Sequence, residues 1–253
     1  MFEWLAARKC RKEAEAGDPG AQCRLGFMYD TGRGVEQNFA EAVKWYRKSA
    51  DQGIAEAQNN LGKMYEQGLG VAQDYAEAAR WYRLAAEQGL AEAQYSLGFI
   101  YKYGQGVQQN FAEAVRWFRK AAEQGDPAGQ RNLGAMYAEG LGVEQSYTKA
   151  WEWYRKAAAQ GYAQAQVSLG EMYAKGLGVE QNYKVALDLF LRAANQYDPE
   201  ALYNLGLMYK NGTGVRMNYG EALRWFRMAA AQGYPLAQQE VMLLSILHDP
   251  RDD

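Results

Sequence analysis

The sequence has little of the residue types that most catalytic and metal centres use. It contains one histidine, His248, and two cysteines, Cys10 and Cys23, among 253 residues. Without a second histidine, we expect neither a histidine-activated nucleophile nor a zinc site with ordinary ligand spacing. We therefore predict no catalytic residues, no metal site and no cofactor. An enzyme would instead require a buried carboxylate pair in a closed pocket.

A dominant charge and a long apolar run are missing as well. The net charge is −2 and the pI is about 5.7, so nucleic acid is not an expected partner. No apolar segment is long enough to span a bilayer. Residues 1–5 lead into the basic segment 8–12 without the apolar core of a signal peptide. We expect a cytoplasmic protein, or a periplasmic or secreted one if a signal peptide was removed.

The two cysteines do not form a disulfide framework. Cys10 and Cys23 fall on helices that we expect to be neighbours, so a bridge between them stays open. A single possible bridge in a chain of this length is not typical of a disulfide-stabilised fold. Reduced thiols are the favoured interpretation.

What the sequence does have is an internal repeat. The dipeptide Leu-Gly recurs every 36 residues, and a tyrosine follows four residues after each leucine. The leucines are Leu25, Leu61, Leu97, Leu133, Leu169 and Leu205. A fixed period of this length is the signature of a solenoid of stacked helical units.

Each repeat predicts two helices, A and B. In the second repeat, Leu61, Met64 and Tyr65 lie on one stripe of helix A, which we expect to end at Gly68-Leu69-Gly70. Gly62 lies beside that stripe, and because a glycine inside a helix costs about 1 kcal/mol against alanine, its recurrence predicts the close approach of a neighbouring helix. This Gly-x-Gly follows no strand and has no Walker lysine, so it is not a nucleotide loop. Helix B begins after an N-cap residue, and in four repeats a glutamate three residues later predicts a capping-box-like arrangement. The caps are Asn38, Asp74, Asn110, Ser146, Asn182 and Asn218.

The remaining segments read as half-repeats at the two ends. We predict a single domain over residues 1–253, with a capping helix in 1–17, six repeats in 18–233, a second capping helix in 234–248 and a tail in 249–253. One helix, six pairs and a final helix make 14. The fifth repeat departs most from the pattern, since it has Leu189-Phe190 for Trp-Tyr and Tyr197 for the closing glycine. These changes keep apolar bulk, so we expect its helices to form.

The combined pattern, A-x-Q-x-x-L-G-x-M-Y-x-x-G-x-G-V followed by N-Y-x-E-A-x-x-W-Y-R, resembles the Sel1-like repeat, a relative of the tetratricopeptide repeat. The resemblance covers about residues 17–233. It implies an all-α solenoid, a right-handed superhelix of helix-turn-helix repeats whose A helices line the concave face. It also implies an adaptor or scaffold, often bacterial, that binds other proteins.

Variable side chains on the A helices predict where a partner binds. The positions two before and two after each repeat leucine are four residues apart and should share one face, beside the position that precedes the leucine. Aromatic, asparagine and arginine side chains recur there, as they do at interface hot spots. The candidate partner-binding residues are Asn60, Lys63, Tyr95, Phe99, Tyr103, Arg131, Asn132, Tyr203 and Asn204. The alternative is that these rings only thicken the packing between repeats.

We therefore predict a non-enzymatic interaction module that binds a peptide or protein segment in the concave groove, centred on repeats two to four. The alternative is a dedicated inhibitor or immunity protein that occludes a toxin or enzyme. A structural spacer or self-assembling scaffold is a third possibility, although we expect a monomer.

Overall fold

The computed structural model describes residues 2–247, and over this range every regular element is an α-helix. The helices are α1 (Phe2–Glu15), α2 (Pro19–Thr31), α3 (Phe39–Asp51), α4 (Ala55–Gln67), α5 (Tyr75–Glu87), α6 (Ala91–Tyr103), α7 (Phe111–Glu123), α8 (Pro127–Glu139), α9 (Tyr147–Ala159), α10 (Ala163–Lys175), α11 (Tyr183–Ala194), α12 (Pro199–Asn211), α13 (Tyr219–Ala231) and α14 (Pro235–Leu247). These 14 helices confirm the predicted number. His248 and the tail lie outside the described residues.

The helices group into two compact units. One extends to Gly129 and includes Leu141–Val143, and the other holds Gln130–Gly140 and the residues from Glu144 onward. Within each unit, A helices such as α4 and α12 pack against the B helices that follow them, α5 and α13. The single domain over residues 1–253 stays a prediction.

A missing side chain on helix A lets the aromatic ring of helix B approach closely. A Cβ atom on Gly62 would lie 2.8 Å from the Tyr82 ring, and one on Gly98 would lie 2.7 Å from the Phe118 ring. These rings are fully buried. The fifth repeat keeps the contact, because Phe190 packs over Gly170. The expected packing reason for the helical glycine is thus the partner ring in the same repeat.

In the first unit, large side chains also link a repeat to the helices before it. The Trp45 ring packs with Ala14, Ala21 and Leu25, and Trp81 packs in the same way on the preceding repeat. The second glycine of the turn adds a close backbone contact, since a Cβ on Gly70 would overlap the Phe39 carbonyl group. Both indole rings are buried, so they add apolar contact between these successive repeats.

Glutamine side chains connect the backbones of successive helices. Gln58 Nε2 donates to the Ala50 carbonyl at 3.1 Å, and the Gln58 side-chain oxygen accepts from Gln88 Nε2 at 2.7 Å. Gln94 and Gln124 repeat this arrangement. Since Gln58 is only 5% exposed, these bonds satisfy polar groups that would otherwise be buried without partners.

The N-caps of the B helices form as predicted, but the capping box does not. Asn38 Oδ1 accepts from the Glu41 N–H at 3.0 Å. The Glu41 carboxylate pairs with Lys44 at 3.1 Å instead of accepting from the Asn38 N–H. That N–H donates to the Tyr29 carbonyl at 2.9 Å, and all six caps make the equivalent bond. The reciprocal half of the box is therefore wrong, because the preceding A helix already satisfies the cap N–H.

Tyr197 adopts a left-handed backbone conformation at a repeat position where the other repeats have glycine. Its φ is +61°, and among the described residues it is the only non-glycine with positive φ. The equivalent residue one repeat earlier, Gly161, has φ +84°. The Tyr197 side chain is 71% exposed and makes little contact that could compensate for the left-handed backbone.

We expect Gly98→Ala to destabilise the fold by about 2 kcal/mol, because its methyl group would overlap the Phe118 ring. Thermal or urea unfolding measures the change. The matched control is Gly20→Ala, another helical glycine, whose Cβ would come no closer than 3.4 Å to any side chain. It should be neutral or stabilising through helix propensity. Equal destabilisation by both variants would contradict the role of the glycine–ring contact.

We expect Tyr197→Gly to raise the unfolding free energy by about 0.5–1 kcal/mol, because glycine removes the left-handed strain at some cost in chain entropy. Gly161→Ala, with no atom within 4 Å of its new Cβ, isolates the backbone term and should lower stability. The two variants should shift the melting temperature in opposite directions. A lower melting temperature for Tyr197→Gly would show that the tyrosine side chain contributes to stability.

Candidate functional site

Three rings of α6 form a continuous aromatic row in the first compact unit. The Tyr95 and Phe99 centroids lie 6.4 Å apart, and those of Phe99 and Tyr103 lie 4.5 Å apart. Tyr103 is 52% exposed, whereas Tyr95 and Phe99 are half-buried. Tyr95 also packs 6.0 Å from the Phe118 ring. The row therefore begins at the core and reaches solvent at Tyr103.

The polar candidates of the first unit are engaged with their neighbours. Lys63 Nζ pairs with Glu92 Oε1 at 2.6 Å, and the other oxygen of Glu92 accepts from Asn59 Nδ2 at 2.9 Å. Asn60 is half-buried and hydrogen-bonds the Tyr46 hydroxyl. Lys63 keeps a side-chain exposure of 36%, so it stays accessible to solvent.

The second unit contains the other four candidates. Tyr203 lies 5.5 Å from the Phe226 ring and 5.2 Å from the Tyr234 ring, so it packs onto its own B helix as Tyr95 does. Arg131 and Asn204 are half-buried, and Arg131 Nε and Asn204 Nδ2 have no hydrogen-bond partner among the described residues. Arg131 lines a cavity of about 210 Å³ together with Glu171 and Glu200.

The predicted face is wrong at several positions. Asn132, expected to contact a partner, is only 7% exposed. Asn59, Ala135 and Val167, which stand two residues before or after a repeat leucine, are buried as well, at 1%, 3% and 2% exposure. At Asn59, two residues before Leu61, the side chain points toward a neighbouring helix rather than solvent, as the Asn59–Glu92 bond shows. Helical spacing alone does not distinguish these two directions.

The structure also has a larger cavity that the candidate residues largely miss. Its volume is about 640 Å³, and α1 and α2 provide most of its lining, including Cys10, Cys23, Arg24 and Phe27. Of the predicted residues, it contains Asn60. Phe27 is 43% exposed. The signal for it was present in the sequence, because Phe27 occupies the same repeat position as Lys63 and Phe99.

Both cysteines that line this cavity are free thiols. Burial raises the pKa of Cys10, and Arg24 opposes that shift. Burial also raises the pKa of Cys23 to about 11, with Glu56 adding to the shift. The thiols are therefore protonated at neutral pH and are poor nucleophiles.

The helices carry neither a metal-binding cluster nor a membrane span within the described residues. Across residues 2–247, no group of three or more His, Cys, Asp or Glu side chains is arranged to hold a metal ion. In the same range, no helix has both the length and the hydropathy needed to cross a bilayer.

The chain matches known proteins over most of its length. Six Sel1 repeats are recognised, at residues 19–54, 55–90, 91–126, 127–162, 163–198 and 199–234. The protective antigen c5321 of uropathogenic Escherichia coli strains, which displays an SLR fold, is 41% identical with a TM-score of 0.81. That match covers 93% of this chain and 50% of c5321, so the chain spans half the length of that relative.

Two other solved structures match the chain at lower sequence identity. A Sel1 repeat protein from Oxalobacter formigenes is 36% identical with a TM-score of 0.80, over 90% of this chain and 95% of that one. Immunity protein Pa5087 from Pseudomonas aeruginosa is 22% identical with a TM-score of 0.50, over 94% and 82% of the two chains, which is a likeness of fold alone. None of the curated proteins compared with the chain matches it.

We expect Glu200→Gln to raise the melting temperature at pH 7. Burial raises the pKa of Glu200, and Glu171 and Asp198 raise it further. The folded state thus favours the protonated carboxyl, and the stability from that form is lost as pH rises through the folded pKa. Glutamine mimics the protonated group, so its advantage should shrink toward pH 4. Glu123→Gln, at an exposed site of α7, is the control and should show no such pH-dependent gain; an equal gain would contradict the prediction.

Proposed function

Because the chain belongs to the Sel1 repeat family, whose members are in general protein-interaction modules, we propose that it is a non-enzymatic adaptor that binds a peptide or protein segment on its A helices. The Sel1 fold is generally a non-enzymatic scaffold, and the proposed role needs neither a cofactor nor a metal.

The observation that carries this proposal is the aromatic row of α6, which reaches solvent at Tyr103. Core positions of the repeat hardly change along the chain, whereas the position two after the leucine holds phenylalanine, lysine, alanine, glutamate and leucine. In α6 that position is Phe99, which is continuous with the exposed Tyr103 ring. The Lys102 ammonium lies 5.3 Å from the centroid of the Tyr103 ring, and accessible aromatic side chains are typical of interface hot spots.

Tyr95 is not among the residues that we expect to provide most of the binding energy. Tyr95 contacts Phe118 in the core, so its removal would affect both folding and binding. Phe99 and Tyr103 contact each other at the edge of the core, and Tyr103 is mostly in solvent. These two residues therefore test the surface with less disturbance of the fold.

A dedicated inhibitor or immunity protein stays the alternative. Pa5087 is an immunity protein, but its likeness to this chain is one of fold alone and does not favour that role over a general adaptor. The two roles would use the same A-helix surface. An adjacent toxin gene would favour the inhibitor, and its absence would favour the adaptor.

We expect the double variant Phe99→Ala/Tyr103→Ala to lose proteins that the wild-type chain retains specifically from a cell extract. Quantitative mass spectrometry of the retained proteins measures the loss, and circular dichroism checks that helicity is kept. The matched control is Leu84→Ala, an exposed apolar residue (37%) on the B helix α5. Retention of the same proteins by the double variant as by the control would reject this surface as the binding site.

A further inference from the structure

The large cavity lies between α1 and the A helix that follows it, α2. Thirty-six residues separate Cys10 from Tyr46, so Cys10 stands at a repeat position that holds a large buried ring in the internal repeats. Helix α1 presents the small side chains of Ala6 and Cys10 to the cavity.

The surfaces around this cavity are apolar inside and cationic at the edge. Cys10, Cys23, Phe27 and Met28 contribute apolar or weakly polar surface, and Lys9, Arg24 and Arg33 are the three cations in the lining. The acid in the lining is Glu13. The Arg33 guanidinium lies 5.6 Å from the centroid of the Phe27 ring, so the edge and the apolar floor meet at Phe27.

The ion pairs of the cavity leave its cations able to contact a ligand. Glu13 is shared by Lys9 at 3.9 Å and Arg24 at 3.5 Å. The Arg24 and Lys9 side chains are 62% and 81% exposed. Exposed pairs of this length contribute little to stability and exchange readily for other acceptors. Outside the lining, Glu56 is a further acid that acts on Cys23.

We propose that this cavity binds an acidic segment of a partner protein, with an apolar side chain seated on Phe27 and carboxylates paired with Arg24 and Arg33. This inference rests on the proposed function and specifies the partner chemistry at a second place on the A helices. A volume of about 640 Å³ exceeds one side chain and suits a short segment. Charge complementarity selects the acidic partner, because three cations in the lining face one acid.

The probe is a fluorescein-labelled peptide, Gly-Ser-Glu-Glu-Phe-Glu-Glu-Ser-Gly, titrated with the full chain by fluorescence polarisation. One twin peptide replaces every Glu with Gln, and another replaces Phe with Ser. We expect saturable binding of the acidic peptide, about ten-fold or more weaker binding of each twin, and weakening by added salt. Equal affinity for the acidic and neutral peptides, or no binding, would overturn the inference.

Variants of the chain locate the binding. Arg24→Gln and Arg33→Gln should each weaken the acidic peptide about ten-fold. The matched control is Arg80→Gln, which removes a cation of equal side-chain exposure (62%) paired with an acid at 3.4 Å in α5. It should leave the affinity unchanged. An equal loss with Arg80→Gln would show non-specific attraction and overturn the inference.

Two other results separate this inference from its alternatives. If the peptide-free chain self-associates in sedimentation and Phe27→Ser abolishes the association, the occupant is a second copy and the inference is overturned. The acidic peptide could fail to bind while the double variant Phe99→Ala/Tyr103→Ala still retains fewer proteins from the extract than the wild-type chain. In that case only the inference about the cavity is overturned. The proposed function would then stand on the α6 row alone.

Discussion

The contact between a helical glycine and a buried ring determines how the two helices of each repeat pack. A glycine in mid-helix costs about 1 kcal/mol against alanine, and that cost recurs because any side chain at the position would overlap the ring. At Gly98, the added carbon would lie 2.7 Å from Phe118. Once this distance is set, the leucine beside the glycine is buried, and the tyrosine four residues later faces the preceding B helix.

The same geometry decides which residues are available to a partner. The position two before the leucine points toward neighbouring helices, so Tyr95 and Tyr203 pack onto rings of their own B helices. The position two after the leucine is exposed at Phe27 and half-buried at Phe99, whereas Ala135 is buried there. Exposure at this position therefore differs from repeat to repeat, and the proposed binding surface uses only the repeats in which a large side chain reaches solvent.

Much of the fold was predictable from the sequence, because period, caps and glycines are local signals. The number of helices, the N-caps such as Asn38 and the packing role of Gly62 are confirmed. Two features could not be derived, since both depend on neighbouring helices. One is the burial of Asn132, and the other is the bond from each N-cap N–H to the preceding A helix, which takes the place of the capping box. The cavity at Phe27 was missed because it depends on how α1 and α2 pack, which the repeat pattern does not specify, although Phe27 itself stands at a position that the pattern identifies.

The bond from each N-cap N–H to the carbonyl of an A-helix tyrosine has an evolutionary consequence. Asn38 reaches back to Tyr29, and the other five caps reach back over the same distance along the chain. One inserted or deleted residue in that loop would move the donor away from its acceptor. The N-cap N–H and the tyrosine carbonyl would then both need other hydrogen-bond partners. Lineages carrying this architecture should therefore diversify by exchanging side chains on a constant frame, or by gaining and losing whole hairpins, and seldom by lengthening their turns.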